Sequence, residues 1–104
     1  MEIKEMQAQA LQIVEEYNKK HGIEHHKETV FHHLVEEIGE LAREIAKETN
    51  DWRKEGFNKE KLATEIVDCI SQLLYLAKDY DVDIEETFKK KIIKLRERYE
   101  LDGN

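Results

Sequence analysis

The chain has 104 residues, with 17 Lys+Arg against 24 Asp+Glu for a formal charge of −7, no proline and four glycines. A length near 100 points to a single helical domain over residues 1–104; so little turn punctuation in a chain 39% charged and 39% hydrophobic argues against a sheet protein. With no basic stripe to neutralise phosphates directly, nucleic acid is excluded as a partner, and the excess carboxylate calls for a cation as intermediary.

Four amphipathic helices are predicted in chain order. Ile3, Met6, Ala10, Ile13, Val14 and Tyr17 recur three or four apart, one stripe of a 3.6-residue period, and Gly22 ends this first helix. The second, from about Thr29 to Thr49, places Val30, Leu34, Ile38, Leu41 and Ile45 on one side, and Asn50, Asp51 and Gly56 mark the loop after it. Asn58 caps a third helix with Leu62, Ile66, Ile70, Leu73, Ala77 and Tyr80 on its apolar side. Asp83 with Glu86 three residues on reads as a capping box for a fourth, carrying Ile84, Phe88, Ile92, Leu95 and Tyr99.

Short loops make consecutive helices antiparallel neighbours, so the expected architecture is an all-α, four-helix antiparallel bundle. A core this small leaves apolar surface on the first and fourth helices that a second subunit would cover, hence an expected homodimer or dimer of dimers. Tyr17 and Tyr99 sit on the apolar stripes and are expected in the core. The longest apolar stretch, Leu73 to Ala77, falls far short of the roughly 20 residues a membrane span needs. The first residues lack signal-peptide organisation, so no membrane partner and a cytoplasmic location are expected. Cys69, the lone cysteine, stands between Val67 and Ile70 in an apolar run and reads as a buried residue rather than a nucleophile.

The informative carboxylates lie beside the apolar faces. On the second helix Glu37 projects just outside the apolar arc, with His33, Glu40 and Glu44 along the same edge and Glu36 facing away; on the third, Glu65, Asp68 and Gln72 form one border. If these borders face each other, Glu37, Glu40, Glu65 and Asp68 converge. Two carboxylates about 4 Å apart repel by roughly 4 kcal/mol at an effective dielectric of 20, so the cluster calls for a cation. Oxygen ligands without cysteine favour Mg²⁺ first and Mn²⁺ second. Gly39, mid-helix at a cost of about 1 kcal/mol relative to alanine, marks either a close approach or a tolerated surface position. His25, His26, His32 and His33 form a dense group, but His32 and His33 point about 100° apart and are read as exposed rather than as a metal site. His33, one turn before Glu37, is placed either to support a metal ligand or to touch substrate.

The segment Leu34-Val35-Glu36-Glu37-Ile38-Gly39-Glu40-Leu41-Ala42, followed after 24 residues by Glu65-Ile66-Val67-Asp68, resembles the Glu-Glu-x-x-Glu and Glu-x-x-Asp motifs of the MazG-like, all-α nucleoside triphosphate pyrophosphohydrolases. The stretch from Asp81 to Glu86, then Lys91 and Arg96 to Tyr99, is similar to that family's last helix. The resemblance implies Mg²⁺-dependent cleavage of a nucleoside triphosphate between the α and β phosphates, giving the monophosphate and pyrophosphate. It implies Glu37, Glu40, Glu65 and Asp68 as metal ligands and Lys91 as a contact to the triphosphate; one of those carboxylates or Glu36 orients or deprotonates the attacking water, with Glu36 and Glu37 as the catalytic candidates.

Lys54, and with it Arg53, can add point charges to the phosphates, while Trp52 and Phe57 either stack on the base or plug the end of the bundle. Gln72 stands where many relatives carry an aromatic residue, and Leu95 near where they often carry an asparagine, so base preference does not carry over. Three alternatives stay open: a phosphoribosyl-ATP pyrophosphatase of histidine synthesis, a non-enzymatic helical dimer that binds a partner, and a relative that binds nucleotide without hydrolysing it.

Overall fold

The computed structural model describes residues 2–49 and 56–101, and these form four helices: α1 (Ile3–His21), α2 (Lys27–Thr49), α3 (Lys59–Asp79) and α4 (Ile84–Arg98). The stops and starts follow local chemistry. Gly22 adopts a left-handed φ of 62° at the end of α1, where the Ile23 N–H returns to the Asn18 carbonyl at 2.8 Å. The Asn58 side chain accepts from the Lys61 N–H at 3.1 Å, and the Asp83 carboxylate from the Glu86 N–H at 3.0 Å, satisfying donors that the first turns of α3 and α4 leave free. Helix α2 begins at Lys27, before the expected Thr29, because the His26 carbonyl already accepts from the N–H groups of Thr29 and Val30.

The body of the molecule is the antiparallel hairpin of α2 and α3. Its two ends are tied at opposite poles: the Lys27 ammonium lies 4.5 Å from the centre of the Tyr80 ring, and Glu44 reaches the Asn58 backbone at 2.9 Å. Val30 and Leu34 from α2 and Cys69, Leu74 and Ala77 from α3 are the buried apolar residues, so the thiol is internal as expected. Helix α1 lies on α3, with the Gln7 side-chain amide donating to the Leu74 carbonyl at 3.4 Å. Helix α4 packs against α1, where the exposed Lys4 approaches Asp83 and the half-buried Glu85 at 3.8 and 3.9 Å, long surface contacts that contribute little.

This is the expected all-α, four-helix arrangement, but it is open. The Cα radius of gyration is 17.2 Å, against about 13 Å for a packed domain of 100 residues. Each helix offers a stripe, yet α1 has its main contacts with α3 and α4, and α4 its main contact with α1. Residues of the predicted stripes therefore stand outside: Ile38, Ile45, Ile66, Ile70, Leu73, Phe88 and Ile92 are 42–56% exposed. Tyr17 and Tyr99, expected in the core, are 57% and 63% exposed, because no helix among the described residues covers their rings. Gly39 is also exposed, and a Cβ there would meet nothing within 4 Å, which decides for the tolerated surface position. Among the described residues no helix is long and apolar enough to cross a membrane.

Candidate metal centre and nucleotide pocket

The antiparallel seam sets Glu37 of α2 opposite the turn of α3 that carries Glu65 and Asp68. One carboxylate oxygen from each of these three residues lies within 4.8 Å of the others. Glu65 is buried, and Glu37 and Asp68 are half-buried. Glu37 Oε2 and Glu65 Oε2 are both shut off from solvent without a hydrogen-bond partner. Buried polar atoms are nearly always satisfied, and an unpaired buried carboxylate oxygen is costly.

The electrostatics agree. Burial is the main cause pushing the Glu37 carboxyl above its ordinary range, with repulsion from Glu40, Asp68 and Glu65 adding to it. Glu65 is likewise pushed up by burial first and then by Glu40 and Asp68, with Lys61 opposing. Glu40 is exposed at the rim, close enough to both for a shared carboxyl hydrogen bond. A hard divalent cation fits this donor set: it takes oxygen ligands, occupies the orphaned lone pairs and cancels the repulsion. Glu36 is exposed and outside the cluster. The Cys69 thiol is pushed up by burial and then by the surrounding carboxylates, the opposite of what an activated nucleophile needs.

One turn along the seam from the cluster is a cavity of about 330 Å³. His33, one turn before Glu37, and Gln72, one turn after Asp68, line its polar side together with Tyr75, while Ile13, Val14 and Tyr17 of α1 form its roof. His32 faces a separate recess with Lys27, Phe31 and Tyr80, as the 100° offset between adjacent helical residues requires. His25 lines the same cavity as His33, and its Nε2 lies 2.6 Å from Asp79 Oδ1 at the far end of α3.

A model of the MazG nucleotide pyrophosphohydrolase domain matches residues 25–101. The chain belongs to the MazG family. The matched stretch holds both acidic motifs, the hairpin that joins them and α4. It is thus a nucleotide pyrophosphohydrolase domain of a family that works with divalent cations, in keeping with the oxygen cluster. Helix α1, which roofs the cavity, precedes the match. The fold is similar to that of YPJD from Bacillus subtilis, assigned as a candidate pyrophosphatase in its crystal structure, with a TM-score of 0.73 over 90% of this chain and 94% of that one at 24% identity. No curated protein sequence matches the chain.

Of the residues singled out by sequence, the MazG hairpin brings together Glu37, Glu65 and Asp68, with Glu40 beside them and His33 one turn away. Lys91 is not brought to them within one chain: it is exposed on α4, and α4 leans on α1 rather than on the hairpin. Trp52, Arg53 and Lys54 lie outside the described residues.

Sequence reasoning missed the part played by Glu44. It is 1% exposed; its Oε1 accepts from the Asn58 N–H at 2.9 Å and its Oε2 from the Lys47 ammonium at 3.0 Å. Those bonds, the Asn58 one foremost, hold its carboxyl below the ordinary range. Glu44 thereby fixes the end of α2 to the start of α3 and sets the register that puts Glu37 opposite Glu65. The only signal in the sequence was its place on the same edge as Glu37 and Glu40.

Proposed function

We propose that the protein is a Mg²⁺-dependent pyrophosphohydrolase that cleaves a ribo- or deoxyribonucleoside triphosphate between the α and β phosphates and so clears unwanted nucleotides. The observation that carries the reading is the convergence of Glu37, Glu65 and Asp68 with two buried, unpartnered oxygens. In this reading Glu37, Glu65 and Asp68 hold the cation and Glu40 closes the site from the rim. Mg²⁺, or Mn²⁺ in its place, supplies charge neutralisation of the phosphates and acidifies water. Glu37 orients the attacking water and takes its proton, whereas Glu36, exposed and outside the cluster, is not placed for that part within one chain. The cavity beside the cluster receives the nucleoside, with His33 and Gln72 offering hydrogen bonds and Tyr75 and the α1 roof excluding water. Lys91 and Lys54 meet the phosphates, and Trp52 the base. A cytoplasmic setting, where triphosphates and Mg²⁺ abound, and assembly as a homodimer or dimer of dimers complete the proposal.

The test is a panel of ribo- and deoxyribonucleoside triphosphates and phosphoribosyl-ATP, incubated with Mg²⁺, with Mn²⁺ and with chelator. Equal amounts of monophosphate and pyrophosphate, formed only with metal, are expected. Release of orthophosphate, or cleavage in chelator, overturns the assignment, and cleavage confined to phosphoribosyl-ATP moves it to histidine synthesis.

A further inference from the structure

His25 has a partner on a distant element. It stands in the connector between α1 and α2, two residues before α2 begins, and its Nε2 lies 2.6 Å from Asp79 Oδ1 at the end of α3. A carboxylate only accepts hydrogen bonds, so Nε2 carries the proton and donates. The other oxygen of Asp79, Oδ2, is shut off from solvent without a hydrogen-bond partner, so the ring N–H is what answers this carboxylate. The Asp79 side chain is 11% exposed and that of His25 42%, a covered anchor behind a ring that is still open. With Nε2 occupied as a donor, the neutral ring has one group left to offer, the lone pair of Nδ1, which is an acceptor.

That ring stands where a nucleobase would come to rest. His25 lines the cavity of about 330 Å³ beside the acidic cluster and also a second one of about 400 Å³, and Asn18 and Tyr75 line both. Thr29 and His33, which line the first cavity, precede Glu37 by two turns and one turn on the same face of α2, so the cavity runs from the cluster toward the start of that helix. Asp79 lies three turns beyond Asp68, about 16 Å along the axis of α3. A nucleoside triphosphate laid along the seam with its phosphates at the cluster therefore brings its base, rather than its sugar, to His25. An acceptor held there favours a base that offers a donor. Cytosine and adenine present an exocyclic amino group where uracil and hypoxanthine present a carbonyl oxygen, and an oxygen set against a lone pair leaves both unpaired. A bond that only held the connector against α3 would serve equally with the ring in either tautomer.

We propose that His25 determines base specificity, selecting nucleotides with an exocyclic amino group over their keto counterparts, and that Asp79 is a positioning residue that fixes the ring and its tautomer. The selection of a base rests on the function proposed above; the fixed tautomer does not.

Asp79→Asn tests both parts. The asparagine amide can donate to Nε2, the ring proton then moves to Nδ1, and His25 turns from an acceptor into a donor. CTP against UTP, and ATP against ITP, are the pairs to compare. The wild-type protein is expected to favour the amino member of each pair roughly three- to tenfold in kcat/KM, with the difference carried by KM. His25→Ala should bring that ratio to about one, and Asp79→Asn to one or below. A wild-type ratio at or below one overturns the assignment, as does a ratio left unchanged by either variant, which is what a purely structural bond predicts. Proton–nitrogen correlation spectra of the imidazole rings, with the His25 signals assigned through His25→Ala, read the tautomer at about pH 9, above the range in which imidazoles titrate. A proton on Nε2 in the wild type and on Nδ1 in Asp79→Asn is expected; a wild-type ring that carries its proton on Nδ1, or shares it between the two nitrogens, overturns the fixed acceptor. If the wild-type protein cleaves no triphosphate, the function proposed above fails, and titration with CMP and UMP in the same spectra decides the inference. A larger shift of the His25 signals with CMP supports it, and equal shifts or none overturn it.

Discussion

Two stretches of the α2–α3 seam, one at its Asn58 end and one nearer its middle, hold glutamates in opposite circumstances. Glu44, at one end, has both oxygens answered by a backbone N–H and an ammonium, and its carboxyl is held down. Glu65 and Glu37, farther along, each keep an oxygen that nothing answers, and their carboxyls are pushed up by burial and by one another. The same residue type, on the same edge of the same helix in the case of Glu37 and Glu44, is structural where it is satisfied and a ligand site where it is not. Burial alone would not separate them; the hydrogen-bond account does.

The comparison breaks most visibly at the unsatisfied stretch. Glu65→Gln is expected to lower pyrophosphate release at least about 100-fold, a loss of about 3 kcal/mol of transition-state stabilisation, and to abolish the rise in melting temperature that Mg²⁺ gives the wild-type protein. Because the substitution removes a repelled charge, the metal-free variant should melt at or above the wild-type temperature. A metal-free variant that melts well below wild type would place Glu65 with Glu44 among the structural residues.

At the satisfied end the expectation reverses. Glu44→Ala leaves the Asn58 N–H without its acceptor and removes one bond of the Lys47 ammonium, and the melting temperature should fall on the order of 10 °C, the scale of a buried hydrogen bond broken in a domain of this size. Residual activity should follow the folded fraction, measured well below the transition. An unchanged melting temperature would show that the register of the hairpin does not depend on this residue.

Acid sharpens the contrast, because the two stretches titrate with opposite sign. A carboxyl held down in the fold stabilises it above the ordinary carboxylate range and loses that contribution as pH falls through its lowered value; Glu44 behaves so. A carboxyl pushed up destabilises the fold where it is ionised, so the metal-free protein regains stability as pH falls through the raised values of Glu37 and Glu65. Melting curves of the metal-free protein from about pH 8 to pH 4 should therefore show a rise before the final acid loss. The Glu65→Gln variant should lack much of the rise and the Glu44→Ala variant part of the later loss. Over the same interval Mg²⁺ should lose its stabilising effect, since protons compete for the oxygens it needs. A monotonic fall in the metal-free wild type would remove the argument for a repelled cluster.

How much of this was legible in the sequence depended on how local the cause was. Gly22, Asn58 and Asp83 end and begin helices through bonds spanning three to five residues, so their chemistry was readable directly. The acidic pairs were readable because i, i+3 on a helix is geometry. The packing of the stripes was not: Ile66, Ile70 and Leu73 satisfy the same periodicity as Cys69, Leu74 and Ala77, and only the placement of α1 and α2 decides which set is buried. Glu44 escaped for a related reason, since its partner is a backbone N–H 14 residues away across a loop. Lys91 had the right residue type on the helix that resembles the family's last, yet helical periodicity does not say which element that helix packs against, and within one chain it packs on α1.

The smallest effect tests the open face itself. Gly39 lies on α2 between Glu37 and Glu40, in helical conformation, with open space where a side chain would go. Gly39→Ala should stabilise an uncovered helix by about 0.5–1 kcal/mol through the reduced entropy of the unfolded chain, a rise of roughly 3–6 °C in melting temperature. No change, or a fall, in melting temperature would mean that this position is covered in solution, against the open space the fold leaves around it.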